Sequence, residues 1–99
     1  DFEILKLLDS RGLIVSAESF QFDFISRFFA PQSGINEDPV TGSAHTVLIP
    51  YWAKKLGKNK MTGFQSSKRG GQLECRLNKD RVIIGGATAR YMHGTICVA

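Results

Sequence analysis

One stretch of the chain carries the pattern of a long helix, and this helix constrains how the rest can fold. Between Gly42 and Leu56, apolar side chains recur about every 3.6 residues, which is the period of an amphipathic helix. Ile49 widens the apolar face, so we expect the helix to be covered by a sheet. Pro50 removes one backbone N–H and predicts a bend, and Gly57 is suited to end the helix. The apolar positions of the face are Ala44, Val47, Leu48, Tyr51, Trp52 and Leu56.

Most of the remaining chain has the pattern of β-strands. The short link Ser19-Phe20-Gln21 predicts that the first two strands form a hairpin. The second strand carries aromatic residues on both faces near its end, which is typical of a central strand buried on two sides. Strands follow strands without alternating helices, so the sequence predicts the α+β class, with about six strands and one long helix. The predicted strands are Leu13–Ser19, Gln21–Ala30, Lys60–Ser66, Gln72–Leu77, Arg81–Gly85 and Ala89–Val98.

A second, shorter helix is predicted at the beginning of the chain. Asp1 is suited to cap it, and Gly12 is suited to close it. Its apolar positions are Ile4, Leu5, Leu7 and Leu8.

Length and composition indicate an ordinary globular domain. The 99 residues are enough for one domain with one modest core. A hydrophobic fraction of 42% and a charged fraction of 22% exclude a disordered chain, a collagen-like repeat and a coiled coil. No apolar run approaches the roughly 18 residues of a membrane span, and no segment resembles a signal peptide. We therefore expect a cytoplasmic protein with no membrane partner.

The formal charge of +4 has a local component in six basic residues. They fit two interpretations, an anion- or nucleic-acid-binding patch and a solvated helix end followed by a turn. No nucleic-acid motif accompanies them, which favours the second interpretation and predicts no nucleic-acid partner. The six are Lys54, Lys55, Lys58, Lys60, Lys68 and Arg69.

The two cysteines, Cys75 and Cys97, are isolated from each other and from any pair of histidines. Because metal sites need several such ligands at short spacing, no metal site is predicted. Each cysteine lies among apolar or strand-like residues, so buried free thiols are expected.

The run from Glu37 to His45 leads into the long helix and is the strongest candidate for a functional site. The first turn of a helix has unpaired N–H groups and a positive dipole end, which suit an anion. Thr41, Gly42 and Ser43 are small enough to let a ligand approach the backbone, and Ser43 adds a hydroxyl. The alternative is an ordinary N-cap, in which Thr41 or Ser43 satisfies the helix start.

Three ionisable residues of this run have different expectations. Asp38, fixed by Pro39, either faces a ligand at the helix start or forms an Asx-type turn, and these alternatives stay open at this point. His45 lies in the first turn, where the dipole disfavours imidazolium, so a neutral, packed role is expected. Glu37 is expected to lie at the surface or to close the loop.

Four segments together resemble the PhzF-type phenazine-biosynthesis family. Residues 26–45 read SRFFAPQSGINEDPVTGSAH, and residues 48–58 read LIPYWAKKLGK. Residues 64–73 read FQSSKRGGQL, and residues 80–96 read DRVIIGGATARYMHGTI. The resemblance extends over about residues 12–98, and the combination of EDPVTGSAH with SxRGG is its most specific part.

The resemblance implies a fold like that of diaminopimelate epimerase, in which two similar α+β domains face each other. Each domain has a mixed, mostly antiparallel sheet curled around one long central helix. Residues 1–99 then form a single domain, the C-terminal half of a two-domain protein whose N-terminal catalytic domain is absent here. Family members commonly pair as dimers, so a homodimer of the full-length protein is implied.

The resemblance also implies a function. The best-known family member isomerises a dihydro-hydroxyanthranilate by proton transfer without a cofactor, and its general base is a Glu of the N-terminal domain. By the same resemblance Asp38 orients the substrate, and Ser43 with Thr41 and Gly42 holds its carboxylate. His45 packs behind them. Arg69-Gly70-Gly71 matches the family motif and fits two interpretations, a phosphate or carboxylate contact by Arg69 and a glycine-shaped hairpin turn, of which the turn is favoured. No cofactor and no metal are expected, and the partners are a small carboxylate and the N-terminal domain.

A second hypothesis belongs to a different class of protein. The same fold is compatible with a binding or scaffold member that has lost proton transfer. On the enzyme hypothesis, residues 1–99 alone are expected to be inactive, because the general base lies in the other domain.

Overall fold

The computed structural model describes residues 1–99 as five strands, two helices and a short 3₁₀ turn at Pro31–Ser33. The helices are α1 (Phe2–Leu5) and α2 (Gly42–Leu56). The strands are β1 (Leu13–Glu18), β2 (Phe24–Phe29), β3 (Lys60–Gln65), β4 (Gly71–Asn78) and β5 (Arg81–Gly85). The predicted α+β class is confirmed.

The strands form one mixed sheet in the order β1-β2-β3-β4-β5. The hairpin of β1 and β2 is confirmed, with Leu13 opposite Phe29 and Glu18 opposite Phe24. The β3–β4 and β4–β5 pairs are also antiparallel, whereas β2 and β3 run parallel. Parallel neighbours need a crossover connection, and α2 lies in the crossover between β2 and β3.

Strand β2 is shorter than predicted and is buried on one face only. Phe24, Ser26 and Phe28 are buried, whereas Arg27 on the other face is exposed. The prediction of a strand buried on two sides is therefore wrong. Aromatic residues on both faces indicated two covered faces, but α2 covers only one, where Phe24 stacks on Trp52 with ring centroids 5.6 Å apart.

Helix α2 has the predicted ends, and Gly57 adopts the left-handed conformation (φ 69°) that terminates it. Its buried face differs from the predicted one: Val47 is 62% exposed and Tyr51 56% exposed. Because one side of α2 faces solvent, the sheet does not enclose it as a central helix. The buried residues of α2 are Ala44, His45, Leu48, Ile49, Trp52 and Ala53.

The main core lies between the buried face of α2 and the sheet. Trp52 and Ile49 of α2 pack in it with Phe24 of β2, Met61 of β3 and Leu73 of β4. The Trp52 indole N–H also donates to Ser16 Oγ of β1 at 3.3 Å. Burying side chains of this size stabilises a fold by about 1.5–3 kcal/mol each, so this cluster fixes α2 on the sheet.

Helix α1 is much shorter than predicted. Asp1 caps it as expected, since its carboxylate accepts from the amides of Glu3 (2.9 Å) and Ile4 (3.4 Å). The helix ends at Leu5 instead of continuing to Gly12, and none of its residues is buried. Its packing is limited to partly covered side chains, with the Phe2 ring 6.3 Å from that of Phe29, so this short helix has little stability beyond its cap.

The predicted strand Ala89–Val98 is wrong. Residues 86–99 have no regular structure, and Tyr91, Met92, Ile96 and Val98 are all exposed. A strand needs a partner for its backbone groups, and this segment has none within residues 1–99. Cys97 is exposed for the same reason, which corrects its expected burial, whereas Cys75 is buried. No helix of the protein is both long and apolar enough to span a membrane.

Candidate active site

The first turn of α2 has backbone N–H groups with no partner. Thr41 precedes the helix in an extended conformation (φ −114°, ψ 103°), and its side chain does not cap the helix. The N–H groups of Gly42, Ser43 and Ala44 donate to no group among residues 1–99. Gly42 and Ser43 are exposed, so an anion can reach these donors from solvent.

Asp38 is fixed by hydrogen bonds at both its backbone and its side chain. Its amide donates to the Phe28 carbonyl at 3.0 Å, which ties the loop to the end of β2. Its Oδ2 accepts from the Thr41 hydroxyl, whereas Oδ1 has no partner among residues 1–99. Asp38 is only half-buried, so this second oxygen is available to a ligand.

Thr41 lies at the centre of this arrangement and is buried. Its hydroxyl contacts Asp38, and its carbonyl is 2.7 Å from His45 Nδ1. Thr41 therefore contacts two other predicted site residues directly, Asp38 and His45, and links them to each other.

Gln65, at the end of β3, belongs to the site but was not predicted from the sequence. Its Oε1 accepts from the Thr41 amide at 2.7 Å, and its Nε2 donates to the Asp38 carbonyl at 2.9 Å and to Thr41 Oγ1 at 3.0 Å. Ser67 contributes a further contact, since its hydroxyl donates to the Pro39 carbonyl at 2.7 Å. The end of β3 thus fixes the loop that leads into α2.

Ser43 has a partner that the sequence did not indicate. The Arg11 guanidinium donates to Ser43 Oγ, and its carbon lies 5.9 Å from the centre of the Phe28 ring. Both Arg11 and Ser43 are exposed. A positive charge therefore lies next to the free N–H groups, and both favour an anion at this place.

His45 is fully buried, and burial lowers its pKa below the ordinary value of 6.5. Because the Thr41 carbonyl can only accept, the neutral ring carries its proton on Nδ1. Nε2 is buried without a partner, and the ring lies 5.9 Å from that of Phe24. These contacts make His45 a neutral, packed support of the loop.

Glu37 forms an ion pair with Arg27 of β2. The guanidinium donates from Nε to Oε1 at 2.8 Å and from Nη2 to Oε2 at 2.9 Å. These hydrogen bonds from Arg27 hold the pKa of Glu37 below its usual range. Because both of its oxygens bond to Arg27, the Glu37 carboxylate holds the loop against the sheet.

A cleft of about 680 Å³ opens beside the start of α2, between the loop and the ends of β4 and β5. Val40, Gly42 and Arg69 line it together with Gly70, Gly71, Gly85 and Gly86. Gly70 has a positive φ of 74° in the turn between β3 and β4, a conformation that favours glycine. Asp38 and Ser43 do not line this cleft. Among residues 1–99 no three His, Cys, Asp or Glu side chains are grouped as metal ligands.

Comparison with known proteins gives concordant matches. The model of the "Phenazine biosynthesis-like protein" family matches residues 2–94. An "uncharacterized isomerase" of Pseudomonas aeruginosa is 54% identical over 96 residues, which are 97% of this chain and 37% of that protein. A human "phenazine biosynthesis-like domain-containing protein" is 55% identical over 93 residues, 87% of this chain and 32% of that protein.

Two solved structures are similar in fold as well as in sequence. A PhzF family protein of Enterococcus faecalis has a TM-score of 0.85 and 53% identity, over 87% of this chain and 34% of that one. A "putative phenazine biosynthesis PhzC/PhzF protein" of Clostridium difficile has a TM-score of 0.84 and 45% identity, over 99% of this chain and 38% of that one. The chain thus spans about a third of the length of its relatives. From the match over residues 2–94 and these identities, the chain belongs to the PhzF-like phenazine-biosynthesis family.

Proposed function

We propose that this chain is the C-terminal, substrate-holding part of a cofactor-independent isomerase that acts on a small, hydroxyanthranilate-like carboxylate. The observation that carries the proposal is the group of unpaired N–H donors at Gly42, Ser43 and Ala44, beside Asp38. Two P. aeruginosa relatives named as isomerases, each 54% identical, support the reaction class. In the full-length protein the chain pairs with an N-terminal domain, and we propose a homodimer in the cytoplasm.

The groups of this chain suit binding and orientation. A carboxylate at the start of α2 receives hydrogen bonds from the free amides and from Ser43, with Arg11 supplying a positive charge. Asp38 uses its free oxygen to orient a substrate hydroxyl or amine. The isomerisation removes a proton from one carbon and returns one to another, so it needs no oxidant or reductant.

The proton-transfer base is assigned to the absent domain. Three ionisable side chains lie near the helix start. His45 is buried and Glu37 is paired with Arg27, so neither is free to exchange a proton with a bound substrate. Asp38 has a free oxygen, and we assign it to orienting the substrate, with proton removal left to the other domain. Residues 1–99 alone are therefore expected to bind without turnover.

The test uses the full-length protein with a dihydro-hydroxyanthranilate in D₂O, and NMR follows isomerisation and deuterium incorporation. Asp38→Asn and Ser43→Ala are each expected to lower kcat/KM by about 10- to 1000-fold, because each removes a contact to the reacting molecule. Asp80→Asn is the matched control, since Asp80 lies in the exposed turn between β4 and β5. Full activity of both variants, or turnover by residues 1–99 alone, would refute the assignment.

The competing hypothesis is a binding or scaffold member without catalysis. It predicts that 3-hydroxyanthranilate binds to the full-length protein while no deuterium enters the dihydro compound. Calorimetric titration of the same sample that is assayed for exchange separates the two hypotheses.

A further inference from the structure

Gln65 is a deeply buried, uncharged side chain that contacts the candidate site. It is 1% exposed, and its amide makes three hydrogen bonds, all to the loop before α2. A buried amide without partners costs about 1–3 kcal/mol, so an apolar side chain would suit this position if packing were its only role.

The hydrogen bonds of Gln65 fix the orientation of its amide. Oε1 faces the Thr41 N–H, which can only donate, and Nε2 faces the Asp38 carbonyl, which can only accept. Turning the amide over would place donor against donor and acceptor against acceptor. Nε2 is therefore also the group that faces the Thr41 hydroxyl oxygen, at 3.0 Å.

This orientation determines the direction of the next hydrogen bond. A hydroxyl has one proton to donate, and the Thr41 oxygen already accepts from Gln65. The Thr41 proton is consequently directed to Asp38 Oδ2. Donors and acceptors thus run in one direction, from Gln65 through Thr41 to the Asp38 carboxylate.

We propose that Gln65 is a positioning residue, which acts through the Thr41 hydroxyl to hold the Asp38 side chain in one rotamer. The rotamer keeps Oδ2 occupied by Thr41 and leaves Oδ1 for a ligand. The effect on the Asp38 rotamer stands on the hydrogen bonds alone, whereas its catalytic consequence rests on the function proposed above.

The first test measures the Asp38 rotamer by NMR in residues 1–99. Three-bond couplings between Asp38 Hα, N and the Hβ protons are expected to show a single χ1 rotamer in the wild type. In Gln65→Glu, an ionised carboxylate accepts from the Thr41 hydroxyl and withdraws its proton from Asp38. Asp38 is then expected to give averaged couplings.

Thr41→Val separates positioning from folding, because it removes only the hydroxyl and keeps Gln65. It too is expected to average the Asp38 couplings, whereas Thr41→Ser is expected to restore the single rotamer. Gln72→Glu is the matched control, since Gln72 is exposed on β4 and its side chain bonds only to Glu74. A single Asp38 rotamer in folded Thr41→Val would overturn the proposal.

The second test uses the full-length protein and the dihydro-hydroxyanthranilate. Gln65→Glu is expected to lower kcat about tenfold, the effect of one hydrogen bond to a charged group, with a smaller change in KM. In an Asp38→Asn background the same substitution is expected to have no further effect on kcat. An equal loss in both backgrounds would overturn the proposal and indicate a structural role. If the wild type lacks isomerase activity, the proposed function fails, and the rotamer measurement still decides the role of Gln65.

Discussion

Gly71 and Val40 are packed so closely that no side chain fits between them. A Cβ on Gly71 would overlap Val40 Cγ2, because β4 begins directly beneath the loop that leads into α2. The contact therefore couples the start of a strand to the position of the Asp38–Thr41 segment.

Gly71→Ala is expected to displace Val40 and to lower the free energy of unfolding by about 1–3 kcal/mol, the usual cost of overpacking. Urea denaturation measures the loss, and amide chemical shifts show whether it extends to residues 38–41. Gly94→Ala is the control, because nothing lies within 4 Å of a Cβ there. If both variants were equally stable, the loop at Val40 would have moved to accommodate the methyl group without any loss of stability.

Gly42→Ala separates stability from ligand approach. No atom lies within 4 Å of a Cβ at Gly42, so the fold accepts the methyl group, and alanine in the helix is favoured by up to about 1 kcal/mol. If an anion contacts the backbone here, the methyl group obstructs it, and kcat/KM of the full-length protein is expected to fall at least about tenfold. Thermal unfolding and steady-state kinetics measure the two effects. Undiminished kinetics would exclude close approach at Gly42.

The ends of α2 were predictable from the sequence because they depend on local signals. Gly57 supplies the left-handed termination, and the apolar period begins at the correct turn. The buried face was not predictable to the same extent. His45 and Ala53 are buried, although the apolar period pointed to Val47 and Tyr51, because the position of the sheet decides which side is covered.

The same distinction applies to the candidate site. The run from Asp38 to Ser43 is contiguous, so its residue types indicated a helix start suited to an anion. Gln65 lies 24 residues from its partner Thr41 in the sequence. Arg11 lies 32 residues from its partner Ser43. No local pattern connects such residues, and only the pairing of β2 with β3 and the placement of α2 bring them together. The segment Ala89–Val98 has the composition of a strand but forms none, because no neighbouring strand among residues 1–99 pairs with it.

His45 predicts a dependence of stability on pH. Burial lowers its pKa in the folded state, whereas the unfolded chain binds the proton with the ordinary value of 6.5. Protonation therefore favours unfolding: stability is full above that pH and falls as the pH drops from it toward the lowered folded-state pKa. The free energy of unfolding then changes with a slope of up to about 1.4 kcal/mol per pH unit for one proton. Urea denaturation from about pH 7.5 to 5 measures it.

The control for this prediction is a pair of glutamine variants. His45→Gln is less stable overall but is expected to lose the slope, whereas exposed His93→Gln is expected to retain it. An unchanged slope in His45→Gln would mean that another group binds the proton.

The two cysteines are expected to differ sharply in reactivity. Burial raises the pKa of Cys75 to about 11, so this thiol is both inaccessible and protonated near pH 8. Cys97 lies in the exposed segment after β5 and is open to reagents. A disulfide reagent is therefore expected to titrate one thiol in the native chain and two in denaturant. Cys97→Ser is expected to leave no rapidly reacting thiol, whereas fast labelling of Cys75 in that variant would show that β4 opens readily from the core.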